Sequence, residues 1–171
     1  MSEALWGRRP PPAPGPGAAA LGRWEPTSPA DLTAHRLQLA AALHDHGRSP
    51  GIEEGAVERL LLAFEELVSN GLRHGRAPVR ATVTVDGSYW LIEVSDAAAD
   101  RPPTPAVGRD AALGGLGLYL VARICGGHGW AGDGHRKTVW ARVDARRAEA
   151  PSTDGPLPRP RAGRRERDRR T

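Results

Sequence analysis

Apolar positions recur at helical spacing twice in the first half of the chain and then switch abruptly to a period of two. In PTSPADLTAHRLQLAAALHDHG, Leu32, Leu37, Leu39, Ala40 and Leu43 supply a helical stripe. Ser28 stands as its N-cap, Pro29 at the first helical position, Asp31 in the first turn, and Gly47 ends it. A second helix is expected from about Glu53 to Arg73, carried by Val57, Leu60, Leu61, Phe64, Leu67 and Val68. Then Val79, Ala81, Val83 and Val85 alternate with polar residues, Asp86-Gly87 signals a hairpin, and Tyr89 to Val94 returns as the partner strand.

Pro102, Pro103 and Pro105 keep Ala97 to Asp110 out of a helix. The turn Gly114-Gly115-Leu116-Gly117 opens a third helix, Leu118 to Cys125, and two strands around a Gly-Asp-Gly turn close the pattern, the second being Thr138 to Val143. Hairpin-joined strands form an antiparallel sheet, and amphipathic helices need an apolar face to cover. The expected fold class is therefore α+β, a two-layer sandwich with a mainly antiparallel sheet covered by helices on one face.

Composition narrows the folded part of the 171 residues. Both ends are rich in Pro, Gly, Ala or Arg and lack apolar periodicity, so residues 1–23 and 145–171 are expected as disordered tails around a domain at 24–144. From Arg146 onward there are nine Arg and four acidic residues, and before Trp24 there are three Arg and one Glu. Of the 24 basic and 20 acidic residues, 12 and 15 remain in the core, which is thus slightly acidic. With no basic stripe or stacking set in the core, direct nucleic-acid binding is not the expected role. A single cysteine, Cys125, permits no intrachain disulfide, and no apolar run approaches the roughly 18 residues of a membrane span. The expectation is a cytoplasmic protein with no membrane partner.

Three places carry candidate chemistry. Glu66, Asn70 and His74 follow one another at steps of four, forming one polar stripe on the second helix. A solvated face gives the same pattern. Against it stand Leu60-Leu61-Leu62-Ala63, apolar all round, and Gly71, which costs the helix on the order of 1 kcal/mol with no evident structural return. The glycine turn at 114–117 can serve as a plain connector or let backbone N–H groups approach a phosphate at a helix start. Its spacing fits neither a Rossmann fingerprint nor a P-loop. Asp96, ending a strand, is either a turn former or an acceptor for an exocyclic amine. His74 also suits a helix C-terminus electrostatically.

In order along the chain, Glu66-Leu-Val-Ser-Asn70-Gly-Leu-Arg-His74-Gly75, Val94-Ser-Asp96, Gly114-Gly-Leu-Gly117-Leu-Tyr-Leu-Val121 and Lys137-Thr138-Val139-Trp140-Ala141 resemble the N box, G1 box, G2 box and closing strand of the GHKL ATPases with the Bergerat fold. Within that superfamily the wording is most similar to the bacterial anti-sigma-factor serine/threonine kinase-like proteins. The resemblance implies ATP and Mg²⁺ as cofactors. Glu66 takes the place of the catalytic general base, and Asn70 that of the Mg²⁺ ligand. Asp96 stands where the adenine amine is read, and Thr138 where that acid is supported. His74, Gly115, Leu116 and Gly117 fall among the nucleotide-binding positions. It further implies a sigma factor or an anti-sigma antagonist as partner, and leaves a homodimer open. Two departures stand out: Ala97-Ala98-Ala99 follows Asp96 where glycines are usual, and Gly71 follows Asn70 where alanine is usual. Arg73, Arg101 and Arg109 are the candidate phosphate clamps. A non-catalytic nucleotide- or protein-binding module with the same fold is the alternative.

Overall fold

The computed structural model describes residues 5–46, 51–105 and 116–146. Five strands form one antiparallel sheet in the order β1-β2-β3-β5-β4, with β1 Ala19–Trp24, β2 Arg80–Asp86, β3 Tyr89–Asp96, β4 Gly127–Gly132 and β5 Lys137–Asp144. Three helices, α1 Pro29–His46, α2 Ala56–His74 and α3 Leu116–Ile124, are the others in the element order. The two-layer α+β expectation holds.

Local chemistry explains where the helices begin. The Asp31 carboxylate accepts hydrogen bonds from Thr27 N (2.8 Å) and Ser28 N (3.0 Å), while Ser28 Oγ accepts from Asp31 N (3.2 Å). This reciprocal cap satisfies donors the helix cannot satisfy itself, and those bonds, the Thr27 backbone first, hold the Asp31 pKa below its usual value. On α1 the buried residues are Leu32, Leu39 and Leu43; Leu37, counted in the sequence stripe, is 63% exposed because it falls outside their arc. Helix α2 starts at Ala56, not Glu53, since Gly55 takes a left-handed conformation that ends the preceding turn. Leu60, Phe64, Leu67 and Val68 of α2 are fully buried, each stabilising the fold by roughly 1.5–3 kcal/mol.

The strands divide their side chains between two faces. Val83, Ile92, Val94, Val139, Ala141 and Val143 belong to the core cluster shared with the helices. On the opposite face Leu91 and Trp140 would meet water, yet they are only 5% and 6% exposed. The N-terminal segment is the reason. Trp6, 3% exposed, donates its indole N–H to Leu118 O on α3 (3.1 Å), and Arg9 N and Trp130 N bond to Trp130 O and Gly7 O at the outer edge of β4. Trp140 donates to Arg9 O (2.9 Å), so the chain has by then reached the far face. The prolines at 10–14 lie against Leu91 and Glu93, Gly15 N reaches Asp86 (2.8 Å), and the strand β1 follows on the other sheet edge. The domain start expected at Trp24 is thus corrected: the segment from Leu5 straps the sheet and pairs with both of its edges. At the other end, Ala145 is buried and bonded to Ser88, and the Arg-rich tail expected to be disordered lies, from residue 147 on, outside the described residues. No described helix is long and apolar enough to cross a membrane.

Candidate nucleotide site

Helix α2 organises the site along its last three turns. Glu66, Ser69, Asn70, Arg73 and His74 line one small pocket with Gly117 and Leu118 at the start of α3. Of the residues singled out in the sequence, Glu66, Asn70, His74 and Gly117 therefore come together. Glu66 and Gly117 touch so closely that a methyl group at 117 would come within 2.6 Å of Glu66 Cδ. Arg73 stands over the same space. Glu66 and Arg73 also border a larger cleft of about 680 Å³ between α1, α2 and the start of α3, where Leu116 is 45% exposed. Gly114, Gly115 and Arg109 lie outside the described residues.

The Glu66 pKa is raised, first by burial, then by the neighbouring Glu65 charge, with Arg73 opposing. A carboxyl so placed holds a proton more readily than a free one.

The sheet side of the same helix fixes Asp96. A methyl group at Gly71 would sit 3.1 Å from Val79 and 3.3 Å from Val94, so this glycine lets α2 lie close on the sheet. The sequence reading that Gly71 brings no structural return is corrected. One turn on, a methyl group at Gly75 would lie 2.7 Å from Asp96 Cγ. Asp96 is 1% exposed; its Oδ1 accepts from Ala98 N (2.8 Å) and Arg76 N (3.4 Å), and its Oδ2 faces Lys137 Nζ at 3.3 Å. Asp96 lines neither of the two clefts around Glu66, and lies instead at the far end of the helix.

Thr138 departs from its expected role. It pairs with Ser95, whereas Lys137 pairs with Asp96, so alternation along the strand turns Thr138 to the opposite face. Lys137, which opens the closing-strand motif but is given no role by the sequence, supports the acid instead. The signal that would have found it is its register: it is the only lysine of the chain, at the start of a strand whose partner ends on Asp96. Arg101 contributes its carbonyl oxygen, which accepts from Lys137 Nζ (2.9 Å). Cys125 is inert by contrast, its thiol pushed up to about 12 chiefly by burial.

With this geometry in place, the comparisons can be stated. The profile of the histidine kinase-like ATPase domain family matches residues 28–143. The chain belongs to that family. The match begins at the α1 cap and ends in β5, so it takes in all the candidate residues and leaves out the strap. The solved structure of the histidine kinase AdeS from Acinetobacter baumannii aligns with a TM-score of 0.41 at 13% identity, over 74% of this chain and 68% of that one. So distant a superposition carries no further argument. An 88-residue stretch is 40% identical to the zinc metalloproteinase nas-30 of Caenorhabditis elegans, covering 48% of this chain but 12% of that protein. Among the described residues no group of three or more His, Cys, Asp or Glu is placed to hold a metal ion.

The residues fit a nucleotide with its Mg²⁺. Gly75 and Gly117 let the backbone pack directly against the two acids, with no side chain between. Asn70 offers a hard oxygen in the Glu66 pocket, and Mg²⁺ takes most of its remaining ligands from phosphates and water.

Proposed function

We propose that the protein is an ATP-binding regulator that acts as a serine/threonine protein kinase of the anti-sigma-factor type, in the cytoplasm. It binds a sigma factor or an anti-sigma antagonist and phosphorylates the latter on a hydroxyl. The observation that carries this reading is the pocket shared by Glu66, Asn70, His74 and Gly117 at the edge of the larger cleft. On this reading Asp96 would hold the base end of the nucleotide, Gly117 would lie beside its phosphates, and Asn70 would hold the metal. ATP supplies the phosphoryl group when bound. Glu66 would take the proton of the acceptor hydroxyl, whose oxygen would replace the β-γ bridging oxygen on the γ-phosphorus and so leave ADP. Arg73 offsets the charge of the transferring group, and the open cleft beside Glu66 admits the partner segment that bears the hydroxyl.

The alternative, a binding module without turnover, rests on a specific observation as well. Where glycines are usual, Ala98 is buried against Asp96, and the acid is already held by Lys137. Incubation of the purified protein and its co-purifying partner with γ-labelled ATP and Mg²⁺ separates the two. Label on a partner serine or threonine, lost in Glu66→Gln, supports the kinase. Saturable ATP binding with no label transferred supports a nucleotide-binding module, and no saturable binding sinks the kinase and leaves a protein-binding module.

A further inference from the structure

The buried Asp96 and Lys137 pair has two hydrogen-bonding positions to spare. A carboxylate accepts at about four sites and an ammonium donates three N–H bonds. Among the described residues Oδ1 of Asp96 is filled twice, by Ala98 N and Arg76 N, but Oδ2 is met only by Lys137. Lys137 Nζ donates to Arg101 O at 2.9 Å and stands in an ion pair 3.3 Å from Asp96 Oδ2, which leaves at least one N–H without a partner among the described residues. One acceptor and one donor therefore stand side by side, on side chains 1% and 2% exposed. Leaving such groups short of partners away from water is costly, so the arrangement favours a ligand that supplies both.

The two groups are carried by paired strand ends, Asp96 on β3 directly opposite Lys137 on β5, so their spacing is set by the sheet and not by flexible loops. The loop after β3 wraps them: Ala98 is 1% exposed, and Arg101 O holds Lys137.

We propose that Lys137 is a base-reading residue. Its ammonium donates to the ring nitrogen N1 of adenine while Asp96 Oδ2 accepts from the neighbouring exocyclic amine. The pair together matches the donor and acceptor that adenine presents on one edge, and a carboxylate alone reads only half of it. This inference rests on the nucleotide reading of the site.

The test compares ATP with 1-deaza-ATP, which keeps the amine and the triphosphate but has a carbon at position 1. Equilibrium binding with Mg²⁺ is measured on the full chain, first unaltered and then as Lys137→Met, with circular dichroism to confirm that the variant is folded. The unaltered protein is expected to bind 1-deaza-ATP about tenfold or more weaker than ATP, a loss of the size a charge-assisted hydrogen bond supports. Lys137→Met is expected to bind ATP as weakly as the unaltered protein binds 1-deaza-ATP, and to treat the two nucleotides alike. Equal affinity of the unaltered protein for both overturns the inference while leaving the nucleotide reading intact, and this arm needs no variant. A Lys137→Met protein that still prefers ATP, or binds it more tightly, assigns Lys137 a purely structural or competing role and also overturns it. Absence of saturable ATP binding removes the nucleotide reading, and the inference with it.

Discussion

At one end of the site Glu66 is half-buried and borders open space on two sides, and its pKa is raised by burial and by Glu65. At the other end Asp96 is 1% exposed and held by two backbone N–H groups and a lysine. Both are carboxylates within reach of the same helix, yet one borders open space with a raised pKa and the other is held in an ion pair. The difference teaches that helix α2 does two jobs with its two flanks. Its outward flank, at 66, 70 and 74, leaves reactive groups accessible, while its inward glycines at 71 and 75 let the sheet bring Asp96 against it.

The sharpest way to break this contrast is to remove an acid from each end. Asp96→Ala strands the Lys137 charge in a dry site and is expected to destabilise the fold by about 3–5 kcal/mol, with Asp96→Ala/Lys137→Met recovering most of that loss in urea melts. Near-zero cost for the single variant would mean that water reaches Lys137.

Glu66→Gln should act on rate and not on stability. Phosphoryl transfer to the partner is expected to fall by about 100-fold or more, with ATP affinity changed only a few-fold. The folded-state pKa of Glu66 is raised, so the stability it contributes is fully present below the ordinary carboxylate range and is lost as pH rises through the raised value. At neutral pH the glutamine variant is accordingly at least as stable as the parent; a clear drop in its melting temperature would show that the ionised acid has a structural partner.

Glycine replacements sharpen the comparison at smaller scale. Gly75→Ala drives a methyl group toward backbone and a fixed carboxylate, for about 1–3 kcal/mol of destabilisation, whereas at Gly117→Ala the obstructing atoms belong to the Glu66 side chain, which can swing aside, for less than about 1 kcal/mol. Equal losses in denaturant melts would contradict the rigid and open assignments. The smallest effect concerns pH. The acid limb of the transfer rate is expected to fall with an apparent pKa above that of a free glutamate, and Glu65→Gln should move it down, because the second cause of the shift is removed.

How much of this was legible in the chain follows from where the causes lie. Helices α1 and α2 and the β2-β3 hairpin announce themselves because caps, apolar period and a two-residue turn are local, and Glu66, Asn70 and His74 could be placed on one flank by spacing alone. The strap could not. Leu5 to Ala18 has no period, and Trp6 is fixed by Leu118, 112 positions away. Strand β1, AALGRW, is held by backbone pairing to β2, which leaves no trace in side-chain alternation. At the site, Gly71 reads as a helix weakness until Val79 and Val94 are seen above it. Thr138 and Lys137 were one register step apart, and only the pairing of β3 with β5 decides which of them faces Asp96.

The central claim is that both flanks of the C-terminal half of α2 serve one bound nucleotide. It is tested most directly by titrating a fluorescent ATP analogue with Mg²⁺ into the parent protein, Asn70→Ala and Asp96→Asn, each checked for folding. The account predicts saturable one-site binding by the parent and about tenfold or greater weakening in both variants. Unsaturable binding by the parent, or loss confined to one of the two variants, would contradict it.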